Sequence, residues 1–186
     1  MRIVGGEFRG RNLATPKSND IRPTTDRTRE SLFNILSHAH PCVLDGTKIL
    51  DLFAGTGAVG IEALSRGCKS ALFVENSVEG RGLLWENIEA FGLHGRARML
   101  RRDATDLGPA NNIEPFELVF ADPPYGKGLG EKALFAAHAG GWLAPGALAI
   151  LEERSDVQVS VDPVFRFLED RAFGDTKMYF FSYKAS

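Results

Sequence analysis

Between Lys48 and Glu152 the chain repeats one pattern: a short apolar run, a turn, then a stretch with helical spacing. This alternation limits the fold more than any other feature. Strands are expected near 48–53, 71–75, 97–102, 116–121 and 147–152, and helices near 57–66, 77–91 and 129–139. Leu84, Ile88 and Phe91 show the i, i+4, i+7 spacing of a helix laid on a sheet. Alternation of this kind implies right-handed crossovers and a mostly parallel sheet with helices packed on it. Phe165 to Tyr183 holds two further apolar runs around a Gly174-Asp175 turn with no helix between them, so they must pair antiparallel and finish the sheet edge. Ahead of the alternation, residues 2–14 read as a short hairpin with glycine turns. A helix from about Asp26 to Ser37 follows, capped by Thr24 or Thr25. The expected fold is α/β: a mostly parallel seven-stranded sheet, a C-terminal antiparallel hairpin, and a small N-terminal β-hairpin/helix extension. With no internal repeat, 186 residues suit a single domain spanning 1–186.

The net charge of −2 excludes a surface coated in basic residues. Its distribution is uneven: residues 1–30 hold seven Lys and Arg against four Asp and Glu, a local +3, while residues 31–186 hold 15 against 20, a local −5. An anion-facing N-terminus on a mildly acidic body follows. Cys42 and Cys68 form no C-x-x-C pair, and His38, His40, His94 and His138 show no metal spacing, so neither a metal site nor a disulfide is expected. No apolar run approaches the ~20 residues that span a bilayer, and the first ten residues lack a signal-peptide core, so the expectation is cytoplasmic with no membrane partner.

Ligands of an open doubly wound sheet sit at the carboxyl ends of its strands. The first parallel strand ends in Asp51-Leu52-Phe53-Ala54-Gly55-Thr56-Gly57-Ala58-Val59-Gly60, the second in Glu75, the third in Asp103-Ala104 and the fourth in Asp122-Pro123-Pro124-Tyr125. Gly55, Gly57 and Gly60 satisfy G-x-G-x-x-G with Glu75 twenty positions after Gly55, the fingerprint of a dinucleotide site. A pyrophosphate, however, needs N–H donors at a helix N-terminus with no carboxylate nearby. Asp51 and Asp122 at the mouth favour a cation instead. S-adenosyl-L-methionine carries a sulfonium and an ammonium, has no phosphate, and still has ribose hydroxyls for Glu75 to grip. A nicotinamide-dependent oxidoreductase remains the alternative from another class.

Asp122-Pro123-Pro124-Tyr125 is the most specific signal, since such a tetrapeptide arises by chance in on the order of one chain in a thousand. Proline fixes its own φ and keeps the preceding residue out of the α region, so the Asp122 carboxylate and the Pro123 carbonyl are aimed before a substrate arrives. Two acceptors aimed at one spot suit an exocyclic amino group, whose lone pair then leaves conjugation and turns toward an electrophilic methyl. Tyr125 offers a face to a base drawn out of its stack.

Together these motifs resemble those of amino-group methyltransferases with the Rossmann-like class I fold. The match sharpens in Arg2-Ile3-Val4-Gly5-Gly6, Phe8-Arg9-Gly10-Arg11 and Arg22-Pro23-Thr24-Thr25-Asp26-Arg27-Thr28-Arg29-Glu30-Ser31-Leu32-Phe33-Asn34, which resemble the RsmD family of 16S ribosomal RNA (guanine-N2)-methyltransferases. The resemblance implies that Glu75 binds the cofactor ribose, Asp103 and Ala104 the adenine, and Asp51 with Ala54, Gly55, Thr56 and Gly57 the methionine end. Asp122, Pro123 and Tyr125 would hold the guanine, with Asp122 also beside the cofactor. Tyr125 stands where the family often has Phe. Residues 1–40 would form an RNA-contacting extension through Arg9, Arg11, Arg22, Arg27 and Arg29. So few cations cannot hold a long RNA alone, because affinity scales with the phosphates neutralised. The family implies 16S ribosomal RNA presented within an assembled or partly assembled small ribosomal subunit. DNA or other RNA amino-methyltransferases, acting on adenine N6 or cytosine N4, share the tetrapeptide but usually need a target-recognition domain. A glutamine-modifying protein methyltransferase would more often carry Asn at position 122.

Overall fold

A computed structural model describes residues 1–18 and 24–184. In chain order the elements are α1 (Asp26–Ala39), β1 (Lys48–Leu52), α2 (Ala58–Ser65), β2 (Ser70–Val74), α3 (Val78–Ala90), β3 (Ala97–Leu100), β4 (Phe116–Ala121), α4 (Leu129–Ala139), β5 (Leu143–Arg154), β6 (Phe165–Phe173) and β7 (Thr176–Tyr183). One seven-stranded sheet has the order β3-β2-β1-β4-β5-β7-β6. β1 to β5 run parallel; β7 pairs antiparallel with both β5 and β6. Strand order reverses between β1 and β4, leaving a crevice at their carboxyl ends.

The central strands are apolar on both faces because helices cover both. Ile49, Phe73, Leu118, Phe120 and Ile150 pack with α1, α2 and α3 on one side; Leu50, Leu52, Val74, Val119 and Leu151 pack with α4 and Trp142 on the other. Asp51 falls in the first set by alternation. Its side chain therefore points at α2 beneath the glycine turn and is 2% exposed. No helix of the described residues is long and apolar enough to cross a membrane.

Some element limits differ from expectation. β5 starts four residues early, at Leu143, across a register shift between Phe116 and Leu118 of β4. β3 stops at Leu100, so Asp103 and Ala104 lie in the following turn. The N-terminal hairpin is reduced to a single bridge, Arg2 with Asn12. Ile3 N and Leu13 N still donate across it, to Arg11 O (3.0 Å) and Met1 O (2.9 Å), while Val4 N (3.0 Å) and Gly5 N (2.9 Å) donate to the Glu62 carboxylate and Phe8 N to Ser65 Oγ (2.9 Å).

Glu62 is fully buried, and so is Arg29, whose Nη1 donates to it at 2.9 Å. Arg66 Nε adds a contact at 2.8 Å on the other carboxylate oxygen. The Arg29 guanidinium also donates to Arg2 O at 2.9 Å and pairs with Asp26. Burial pulls the Arg29 pKa down, against the raising effect of Glu62 and Asp26. This is a correction to the sequence reading, which gave Arg29 to the RNA: the side chain has no solvent-facing surface. Removing one partner of a buried pair leaves the other charge uncompensated, at a cost of about 3–5 kcal/mol. Arg29→Ala is therefore expected to lower the unfolding free energy by about that amount in urea titrations, while Arg27→Ala, at an exposed position, stays within about 0.5 kcal/mol of wild type. Equal stabilities for the two variants would refute the structural role of Arg29.

Candidate active site

A cleft of about 930 Å³ opens at the switch point, within the usual range for a small-molecule site. Its walls come from the end of β1 and the turn after it (Asp51, Phe53, Ala54, Gly55, Thr56), the segment from the end of β2 to the start of α3 (Glu75 to Glu79), and the residues after β4 (Asp122, Pro123, Pro124). Thr24 closes one side. Four carboxylates, Asp51, Glu75, Glu79 and Asp122, line it, and no Lys or Arg does among the described residues.

The β1 turn is shaped by close approach. A Cβ on Gly57, which has φ +81°, would lie 2.5 Å from Leu84, and one on Gly60 would lie 2.3 Å from the Phe73 ring. Phe53 has φ 55°, a left-handed conformation rare for a bulky residue, and lines the cleft. Nothing in the residue type signals that strain.

Asp51 accepts from Gly60 N at 3.0 Å. Burial pushes its carboxyl well above the usual carboxylate range; the Gly60 N–H partly offsets this and the Glu75 charge adds to it. A cation arriving in the cleft would favour the ionised form. Glu75 Oε1 accepts from Gly55 N (2.7 Å), and Oε2 from Ser77 N (2.9 Å) and Ser77 Oγ (2.7 Å). Both oxygens are thus aimed by the chain around them; Oε1 keeps a second lone pair for a ligand, and Oε2, which already accepts twice, would take a ligand hydroxyl in place of Ser77 Oγ. Ser77 also caps α3 by accepting from Gly80 N. Hydrogen bonds from the hydroxyl and backbone of Ser18, with one from Lys17 N, hold the Glu79 carboxyl below its usual value. Val78 beside it is 79% exposed, an apolar rim to the cleft that no periodicity singled out.

The structure thus brings Asp51, Ala54, Gly55, Thr56, Glu75, Asp122 and Pro123 around one space. Gly57 lies behind the turn. Asp103, Ala104 and Tyr125 do not line this cleft: Asp103 is exposed past β3, accepting from Thr105 N at 2.8 Å, and Ala104 is buried against the α4 side.

The exposed cations of the N-terminal segment and the cleft mouth separate into two groups. Arg11 donates to Ala90 O at 2.6 Å and lies 4.4 Å over the Phe91 ring, at the far end of α3 from the cleft. That helix of 13 residues spans about 20 Å. Glu7, two residues before Arg9, pairs with Arg96 at the amino end of β3. Arg9 and Arg11 therefore belong to the base of the sheet. Lys17, Arg27 and Lys127 are exposed on the segments that reach the cleft. Arg22 lies outside the described residues.

The acidic lining argues against a pyrophosphate and so against the nicotinamide reading. Comparison with known proteins agrees. The family described as Conserved hypothetical protein 95 matches residues 1–182. Ribosomal RNA small subunit methyltransferase D of Escherichia coli (strain K12) is 41% identical over 152 residues, covering 82% of this chain and 74% of the relative. The protein of the same name from Haemophilus influenzae is 32% identical over 94% of this chain and 89% of its own. The solved structure of Escherichia coli yhhF superposes with a TM-score of 0.84 and 32% identity, covering 100% of this chain and 99% of the other. The chain belongs to this family and is a methyltransferase.

Proposed function

We propose that this chain transfers a methyl group from S-adenosyl-L-methionine to the exocyclic N2 of a guanine in 16S ribosomal RNA of the small subunit. The observation that carries it is the pair of acceptors at Asp122-Pro123, set by two prolines on the wall of an acidic cleft at the switch point. The names of the relatives supply the RNA class.

The residues fit this cofactor. The cleft is lined by four carboxylates and no Lys or Arg among the described residues, which suits a sulfonium and an ammonium, and Gly55 presents backbone without a side chain to it. Glu75 would accept from the two ribose hydroxyls, with Oε1 and Oε2 already oriented by Gly55 and Ser77. Asp51 and the Ala54-Gly55-Thr56-Gly57 turn would hold the ammonium end. Asp103 and Ala104, in the turn after β3, would take the adenine where it extends beyond the cleft, and exposed Val78 offers the ring an apolar edge. The cofactor supplies an electrophilic methyl on its sulfonium.

On the substrate side, Asp122 and the Pro123 carbonyl would each accept one N–H of the amine, holding its nitrogen lone pair out of conjugation. Positive charge develops there, and the fixed carboxylate stabilises it without reorganising. The proton released by the methylated amine passes to Asp122 or water. Tyr125 would stack on the flipped base. Within the proposed RNA-contacting extension, residues 1–40, Arg27 and Lys17 would meet phosphates at the mouth together with Lys127, while Arg9 and Arg11 would reach only RNA extending to the base of the sheet. So divided a set of cations suits a substrate presented by a partly or fully assembled subunit.

Glu75→Ala should weaken cofactor binding roughly ten- to several-hundredfold, the loss of charge-assisted hydrogen bonds worth about 1.5–3 kcal/mol each. Calorimetric titration with S-adenosylmethionine checks this, and unaltered affinity would remove Glu75 from the ribose. Asp122→Ala should cut turnover at least ~100-fold with far less effect on cofactor affinity. In the same methyl-transfer assay Tyr125→Phe should be nearly silent and Tyr125→Ala should cost about 1–3 kcal/mol; loss of activity in the Phe variant would give the hydroxyl a chemical role.

A further inference from the structure

Three carboxylates follow the parallel strands that lead to the cleft, and the chain orients them in different ways. Glu75 and Asp103 each accept from the backbone N–H two residues on, Ser77 at 2.9 Å and Thr105 at 2.8 Å. That local turn is the ordinary way a short acidic side chain is held at a strand end. Asp122 is denied it. The next two residues are Pro123 and Pro124, and neither has an N–H to give. Rotamer preference does not replace the lost bond, because the terminal torsion of an aspartate is broad. The prolines that aim the backbone therefore leave the carboxylate plane to be set by a donor from elsewhere in the chain.

Thr24 provides one. Its Oγ1 donates to Asp122 Oδ2 at 3.3 Å across 98 positions of sequence, and it lines the same cleft. Thr24 is itself fixed from behind. Thr25 is the cap of α1, accepting from Thr28 N at 3.2 Å. Arg29, locked to Glu62, points Nε at Thr24 O, 3.5 Å away. Of the two adjacent threonines that could cap the helix, one does so and the other turns its hydroxyl to the strand end.

We propose that Thr24 is a positioning residue for methyl transfer: its hydroxyl sets the rotation of the Asp122 carboxylate, the task the proline pair withholds from the local backbone. The proposal rests on Asp122 being the group that accepts the substrate amine. It assigns to the N-terminal extension a part in the chemistry beyond contact with RNA.

The test uses the full chain with small ribosomal subunits lacking native methylation, in wild type, Thr24→Val, Thr24→Ser, Asp122→Ala and the Thr24→Val/Asp122→Ala double variant. Valine keeps the shape and removes the donor. Turnover should fall roughly tenfold in Thr24→Val, the equivalent of one hydrogen bond of about 1.4 kcal/mol. Cofactor affinity by calorimetry and the thermal midpoint should stay at wild-type values. Thr24→Ser should recover most of the turnover. In the Asp122→Ala background, Thr24→Val should change nothing further, because the group it acts through is gone. Wild-type turnover in Thr24→Val would overturn the proposal. So would failure of serine to rescue, or a full additional loss in the double variant. If Asp122→Ala itself kept wild-type turnover, the assignment of Asp122 would fall, and the proposal about Thr24 with it; normal Thr24→Val beside an inactive Asp122→Ala would sink the Thr24 proposal alone.

Discussion

The Arg29–Glu62 ion pair, with both side chains out of solvent, holds together parts of the chain that share no sheet contact. Glu62 sits in the middle of α2, directly after the glycine turn, and takes N–H groups of Val4 and Gly5 together with Arg29 and Arg66. Arg29 in turn gathers Arg2 O, Asp26 and Thr24 O. An isolated pair at this depth would cost more in desolvation than it returned, and it persists because nearly every remaining donor and acceptor is satisfied. The result is mechanical: α1 and the first residues are held at a fixed angle to α2, the helix that leaves the glycine turn. Thr24 and Asp122 meet because of that angle.

The cleft itself depends on a different constraint. Reversal of strand order between β1 and β4 opens the crevice, and the close-packed glycine turn lets α2 begin directly under it. Buried Asp51 is tolerable there because Gly60 N–H meets it and because burial, with the Glu75 charge, displaces its carboxyl toward the neutral form. The same clustering of carboxylates that is electrostatically unfavourable in itself makes the cleft receptive to a positively charged ligand. Phe53, held at positive φ, is a second place where local strain is kept at the site and offset by the packing around it.

Much of this was legible in the sequence. Strand–turn–helix alternation defined the sheet, and the rule that ligands gather at strand ends singled out Asp51, Gly55, Glu75 and Asp122 before any coordinates. What escaped were properties set by distant packing. Arg29 stands four residues after the α1 cap, where an arginine reads as a solvated charge, and only α2 lying over it reveals a buried partner. Arg9 and Arg11 are close in sequence to Arg27 yet a helix length away in space, because the first strand-like segment follows α3 down to its carboxyl end. Thr24 was visible as a helix cap, and the identity of its other partner requires the fold. Val78 and Phe53 carry no residue-type signal at all.

The central claim is tested most directly by methyl transfer from labelled S-adenosylmethionine to small ribosomal subunits lacking native methylation, followed by nuclease digestion and identification of the modified nucleoside. The expected result is label at one position of 16S ribosomal RNA, recovered as N2-methylguanosine, in wild type and absent in Asp122→Ala. Label on adenine N6, on cytosine N4 or on ribosomal protein, or equal labelling by Asp122→Ala, would contradict it.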